Sequence, residues 1–281
     1  MHIARTIAEF RAWRAAAEGT LGLVATMGYL HEGHLSLVRA SKLANDRTVA
    51  TIFVNPAQFG PNEDLARYPR DESRDLILLK AQGVDAVFVP PADEIYPPDF
   101  STYITVAHLT ERLEGSSRPT HFRGVTTVLL KLFNIIQPQR AYFGRKDAQQ
   151  LAVVRRMVRD LDLPIEIVGM PIIREPDCLA MSSRNVNLTP DERRAARVLS
   201  KSLRLAESLV ASGQRNAGEI RASMQSLIAA ESLATLDYVS VADADALEEL
   251  HTIDRPALVS LAVRFGGTRL IDNTNLDPPA P

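Results

Sequence analysis

A single cysteine, Cys178, occurs in the 281 residues. An intrachain disulfide is therefore excluded, and no Cys/His cluster has the spacing of a zinc site. One unpaired thiol fits a reducing compartment, so a cytoplasmic protein is expected. Long apolar runs are missing as well. The best stretch, residues 125–136, is interrupted by Lys131 and Asn134 and is too short to cross a bilayer. The N-terminal segment MHIARTIAEFRAWRAAAEG lacks the apolar core of a signal peptide. An excess of one charge is also absent: 32 basic and 34 acidic residues give a net charge of −2. Such a balance offers no general attraction to nucleic acid or to an anionic membrane, and neither partner is expected. It is compatible with a local basic pocket for a small anion. No internal repeat or low-complexity segment is visible.

What is present is ordinary globular composition, 46% hydrophobic and 23% charged. Ile3, Ile7, Phe10 and Trp13 or Arg14 recur at helical spacing and predict a first amphipathic helix. The first 170 or so residues then alternate short β-rich runs with helical patterns. Strands are expected over 21–26, 48–54, 85–89, 140–143 and 165–168. Helices are expected over 33–45, 73–82, 124–136 and 147–161. Strands apolar on both faces and separated by helices indicate a parallel sheet covered on both sides. The expected fold is therefore α/β, a doubly wound, Rossmann-like domain over residues 1–172. Thr189-Pro190-Asp191-Glu192 is a helix start, and one helix is expected from there to about Gly213. A second helix over 217–230 and strands over 236–241, 257–263 and 268–272 complete a smaller α+β domain, residues 173–281.

Open α/β sheets bind ligands at the C-terminal ends of their strands. The strongest local signal lies at such an end: Met27-Gly28-Tyr29-Leu30-His31-Glu32-Gly33-His34, after the first sheet strand and opening a helix. Glycines permit a tight turn, and a helix N-terminus supplies unpaired N–H groups suited to phosphate. His31 and His34 are three residues apart and share a helix face. The spacing is neither a Walker A loop nor GxGxxG. A second segment, Gly144-Arg145-Lys146-Asp147 with Gln149 and Gln150, also follows a strand and opens a helix. Lys146 suits phosphate, while Asp147 suits a helix cap or ribose hydroxyls. A third, Met181-Ser182-Ser183-Arg184-Asn185, combines hydroxyls, an arginine fork and adjacent amides. Taken alone, the second reads equally well as a capped helix with solvated charges, and the third as a polar linker. Together the three imply a nucleotide triphosphate held between the domains. No paired carboxylates mark a dedicated two-metal site, so Mg²⁺ is expected to travel mainly on the phosphates.

The motifs resemble those of the pantoate–β-alanine ligase (pantothenate synthetase) family of the HxGH nucleotidyltransferase superfamily. The likeness runs from about Thr26 to Asn273. It rests on MGYLHEGH, IFVNPAQFG (52–60), Asp64-Leu65 with Tyr68-Pro69-Arg70, RPTHFRGV (118–125), YFGRKDAQQL, LAMSSRN and GTRLIDN (267–273). The resemblance implies ATP, pantoate and β-alanine as substrates, and pantothenate, AMP and pyrophosphate as products, by way of a pantoyl adenylate. It implies that His31 and His34 contact the ATP phosphates, with His34 the better placed for the departing pyrophosphate. Lys146, Ser182, Ser183 and Arg184 would hold the phosphates, Gly144 and Asp147 the ribose, and the Ile173 backbone the adenine. Gln58 and Gln150 would bind pantoate, assisted by the Met27 amide. A homodimer is implied in the same way.

Two positions depart from the family pattern, which reads Gly-Glu-Lys-Asp followed by an aromatic residue. Here Arg145 stands in place of Glu and Ala148 in place of the aromatic. Two other readings compete. An HxGH enzyme adenylating a phosphate or mononucleotide would explain the phosphate motifs but not Gln58 and Gln150 in their flanking sequences. A nucleotide-binding protein without turnover would leave the intact HxGH, Lys146 and Ser-Ser-Arg set unexplained.

Overall fold

The computed structural model describes residues 1–61 and 63–277. Asn62 and residues 278–281, the end of the expected second domain, lie outside the described residues. The chain divides into two compact units. The first comprises Met1–Arg145 and Gln149–Ile172, the second Lys146–Ala148 and Ile173–Pro281.

The first unit is built on six strands: β1 (His2–Ala4), β2 (Leu21–Thr26), β3 (Arg47–Ile52), β4 (Ala86–Phe88), β5 (Arg140–Gly144) and β6 (Glu166–Met170). They pair throughout in parallel, in the order β1-β4-β3-β2-β5-β6. Helices α1 (Ile7–Ala16), α2 (Glu32–Ala44), α3 (Glu72–Ala81), α6 (His121–Ile136) and α7 (Ala148–Asp160) connect them, with two single-turn helices, α4 (Ala92–Ile95) and α5 (Glu114–Ser117). The doubly apolar strands are explained by two cores. Leu21, Leu23, Val49, Ala86 and Phe88 pack with residues of α1, α6 and α7. The alternate side chains Val24, Ala50 and Val87 pack with residues of α2 and α3. Successive strand residues point to opposite faces, so each strand feeds both layers.

The N-terminus corrects one expectation. Ile3 does not belong to a helix but to the edge strand β1, paired with Val87 of β4. Helix α1 begins only after Thr6, whose Oγ1 accepts the Glu9 N–H while the Glu9 carboxylate accepts the Thr6 N–H. This reciprocal cap fixes the helix start and leaves the preceding residues free to extend.

The second unit contains α8 (Pro190–Ala195), α9 (Val198–Ala211), α10 (Ala217–Ala229) and an antiparallel sheet, β7 (Ala234–Asp243), β8 (Ala257–Phe265) and β9 (Thr268–Leu276), in that order. Its core joins Leu199, Leu203, Ile220 and Met224 of the helices to Val241, Val259, Leu261 and Val263 of the sheet. The helix start at Thr189 carries the Thr189–Glu192 capping box with Pro190 at the first helical position. The single helix expected from there is two helices. Between them Arg197 N–H bonds to Arg194 O and Leu199 N–H to Ala196 O, three-residue steps that tighten the turn without any Gly or Pro. No helix among the described residues is long and apolar enough to cross a membrane.

Candidate active site

In the first unit the chain runs from β2 to β3 and β4 on one side, then returns to place β5 on the other side of β2. The reversal lies between β2 and β5, the position where open α/β sheets leave a crevice at their strand ends. The segments following these two strands are MGYLHEGH and GRKD.

The turn after β2 is held from several directions. Gly28 has φ +82°, and a Cβ there would come 3.0 Å from Asp75 Oδ2 and from Ile52 Cγ2. Tyr29 follows in the left-handed region at φ 51°. Its N–H and that of Leu30 donate to the two oxygens of Asp75, at 2.6 and 2.7 Å. Asp75 comes from α3 and is fully buried. Burial pushes its pKa up, opposed by those two amide bonds. Its neighbour Arg74 places its guanidinium 5.3 Å from the Tyr29 ring centre. Leu30 is buried and packs into the core beneath α2.

His31 caps α2. Its Nδ1 accepts the Gly33 N–H at 3.1 Å, and His34 Nδ1 accepts the His31 N–H at 3.3 Å. The rings lie 4.0 Å apart between centroids, tilted by 36°. A ring nitrogen that accepts a backbone N–H carries no proton, so the neutral form of each ring bears its hydrogen on Nε2. Both imidazoles are thereby set as Nε2–H donors at the positive end of a 13-residue helix. Glu32 pairs with Arg39 along the same helix.

Gln58 lies in a short 3₁₀ turn, Pro56–Gln58, and is buried. Its Oε1 accepts from Asn55 Nδ2 at 3.1 Å, and its Nε2 lies 2.9 Å from Met27 Sδ. Its backbone carbonyl accepts from Arg118 and from His121 Nδ1 at 2.9 Å. Helix α6 can approach this turn because residue 124 is glycine. A Cβ there would sit 2.2 Å from Ala57 O and 2.5 Å from Gln58 N. Burial, reinforced by the Arg118 charge, pushes the His121 pKa down to about 4.

At the end of β5, a Cβ on Gly144 would meet nothing within 4 Å. Packing therefore does not demand the glycine. Arg145 directs its Nε to the Gly169 carbonyl at 3.3 Å. On α7, Gln149 is buried and structural, with its amide bonded to Leu109 O, Arg112 O and the Glu114 N–H. Gln150 is half-buried one position further on.

The second unit carries the remaining candidates. Lys146 Nζ lies 3.7 Å from Asp147 Oδ1, and the Lys146 carbonyl accepts from Asn273 Nδ2 at 2.7 Å. Ile173 O accepts the Met181 N–H at 2.9 Å. Ser182 caps a 3₁₀ turn, Ser183–Asn187, by accepting the Arg184 N–H. An accepting hydroxyl keeps its own O–H to donate. The loop is tied down by Asn185 to Glu175 at 2.8 Å, and Glu175 is gripped by both ends of the Arg193 fork. Buried Asp272 holds Arg174 through two bonds, 2.6 and 3.0 Å.

Residues 2–275 match the sequence profile of the pantoate-beta-alanine ligase family. The chain belongs to that family. Pantothenate synthetase of Roseiflexus sp. (strain RS-1) is 61% identical over 277 residues, covering 99% of this chain and 100% of the relative. The crystal structure of pantothenate synthetase from Thermus thermophilus superposes with a TM-score of 0.93 at 46% identity, covering 98% and 99% of the two chains. That of the Francisella tularensis pantoate-beta-alanine ligase, complexed with beta-gamma ATP and beta-alanine, gives 0.80 at 34% identity over 98% and 97%. The family and the two-part α/β architecture expected from the sequence are thus both borne out. The ligase also contains residues that sequence reasoning passed over. Asp75 sits in a polar run, ESRD, that reads as helix surface. Asn55 and the Asp272-Asn273 pair lie inside quoted motifs, but nothing in their spacing disclosed what they hold.

Proposed function

We propose that the chain carries out its family's reaction with the donors described above. Pantoate is condensed with β-alanine at the expense of ATP, giving pantothenate, AMP and pyrophosphate. A pantoate carboxylate oxygen attacks the α-phosphorus, the bond to the bridging oxygen breaks, and pyrophosphate leaves. The neutral amine of β-alanine then attacks the acyl carbon of the pantoyl adenylate, AMP departs, and the nitrogen loses a proton as the amide forms.

The observation that carries this reading is the histidine pair. Two Nε2–H donors fixed at a helix N-terminus suit phosphoryl oxygens that gain charge as pyrophosphate leaves. His34 is assigned to the leaving pyrophosphate and His31 to the adjoining phosphates. The amides of Gly28, Tyr29, Leu30 and Gly33 are committed to the turn and helix start that carry the pair. Lys146, Ser182, Ser183 and Arg184 supply the other phosphate donors. Gly144, with open space where a Cβ would be, suits close approach of the ribose, which Asp147 would hydrogen-bond. The Ile173 backbone would take the adenine. Arg145 adds a cation to this segment. Gln58 and Gln150, with the Met27 amide, would bind pantoate. Mg²⁺ belongs to the ATP substrate and rides on its phosphates. Closure of the second domain, residues 173–281, over ATP, a homodimer and a cytoplasmic location complete the proposal.

The test is pantoate-dependent ATP–pyrophosphate exchange, with Mg²⁺ and without β-alanine. Exchange that requires pantoate is expected, and subsequent β-alanine should release pantothenate and AMP. Exchange that ignores pantoate, or none while ATP still binds, would refute the assignment.

A further inference from the structure

We infer that Tyr96 is a positioning residue for pantoate. Through Asn55, its phenolic O–H holds the Gln58 side-chain amide with the NH₂ end turned toward Met27. The inference rests on the reading of Gln58 as a pantoate ligand.

The argument is one of saturation. Asn55 is buried and has two acceptor sites and two N–H donors. Its Oδ1 accepts the Ala57 N–H at 3.2 Å and the Tyr96 O–H at 2.9 Å. Its Nδ2 donates to the Gly124 carbonyl at 3.0 Å and to Gln58 Oε1 at 3.1 Å. All four sites are used. A backbone N–H only donates and a carbonyl only accepts, so Ala57 and Gly124 decide which way Asn55 faces. Its remaining N–H then requires the carbonyl end of Gln58. The Gln58 Nε2 is left beside Met27 Sδ, 2.9 Å away. Gln58 therefore meets pantoate as a donor, and the matching group on the substrate is an oxygen acceptor, a hydroxyl or carboxylate. A buried amide set in this way discriminates strongly against a substrate lacking that oxygen.

Tyr96 is suited to supply the last bond of this relay. Its ring is wedged between Phe53, at 6.4 Å, and the edge of Phe100, at 5.0 Å, with Lys131 Nζ 5.8 Å from its centre. Burial raises the phenol pKa well above its ordinary value, so the O–H stays a donor throughout the working range of pH. Without it, Asn55 Oδ1 keeps one bond of two, and the amide that orients Gln58 loosens.

Tyr96→Phe tests this while preserving the ring. We expect KM for pantoate to rise about three- to tenfold, the scale of one net hydrogen bond. KM for ATP and kcat should stay within about twofold and the thermal midpoint should fall by only about 2–5 °C, the loss of one hydrogen bond with the ring packing retained. In a Gln58→Ala background the Tyr96→Phe effect should vanish, because the group being positioned is gone. The inference is overturned if Tyr96→Phe leaves pantoate KM unchanged while Gln58→Ala raises it. It is equally overturned if the Tyr96→Phe effect persists undiminished without Gln58, or falls on both substrates alike. If Gln58→Ala itself leaves pantoate KM unchanged, the pantoate reading of Gln58 fails and takes this inference with it.

Discussion

Replacing Asp75 by Asn keeps the size of the side chain and removes one acceptor. The two amides it receives, from Tyr29 at 2.6 Å and Leu30 at 2.7 Å, both donate to a buried carboxylate. Bonds to a charged acceptor contribute about 1.5–3 kcal/mol each, and a buried donor left unpaired costs about 1–3 kcal/mol. Asparagine can accept from one amide only, and its NH₂ would face the other N–H. The carboxylate's own burial, which raises its pKa, offsets part of the loss when the charge is removed. The net cost should be about 3 kcal/mol. It should appear in one of two ways. If the turn stays closed, the unfolding free energy falls by that amount, read as a lower urea midpoint at unchanged slope. If the turn opens instead, stability is largely kept but His31 and His34 shift. A misplacement of about 1 Å typically costs on the order of 10²-fold in rate, read in the pantoate-dependent exchange assay. A variant within about 1 kcal/mol of the parent in stability and within about threefold in exchange would refute the view that Asp75 holds the histidine turn.

Three further outcomes are expected. His34→Ala or Lys146→Ala should lower turnover by roughly 10²–10³-fold if each stabilises developing phosphate charge, and a loss under about threefold would remove that residue from the site. His121, at about 4 when folded against 6.5 as a free side chain, binds its proton more weakly in the folded state. Stability from this group is complete above pH 6.5 and is lost progressively as pH falls toward 4. It amounts to about 3 kcal/mol, and urea titrations across that window should show a slope that His121→Asn removes. Gly124→Ala would drive a methyl into the Ala57 carbonyl and the Gln58 amide. It should lower stability by about 1–3 kcal/mol and raise KM for pantoate more than KM for ATP, as initial-rate kinetics will read.

The sheet was legible because its strands must be apolar on both faces, and β2 was bounded correctly at Leu21–Thr26 for that reason. Strand β1 was not. Three residues carry too little periodicity, and Ile3 happens to fall in step with the helix that follows. The split between α8 and α9 was equally hidden, because Ala196 and Arg197 keep near-helical dihedrals and neither is a helix breaker. In the candidate site, the residues bearing donors announced themselves through motif and spacing. Those that hold them did not. Asp75 reaches the histidine turn from 45 residues away, and Tyr96 reaches Asn55 from 41. Long-range bonds of this kind depend on how elements pack, which local pattern does not record.

The allocation of Lys146–Ala148 to the second unit, with Arg145 and Gln149 on either side assigned to the first, means that the polypeptide passes between the units three times. A fragment ending at Ile172 would therefore carry Lys146 away from Asn273, whose amide holds the lysine's carbonyl. The complementary fragment would lack the lysine altogether. Exchange of the C-terminal half between relatives should therefore bring residues 146–148 along as a second, separate graft, so that the Asn273 amide keeps its partner.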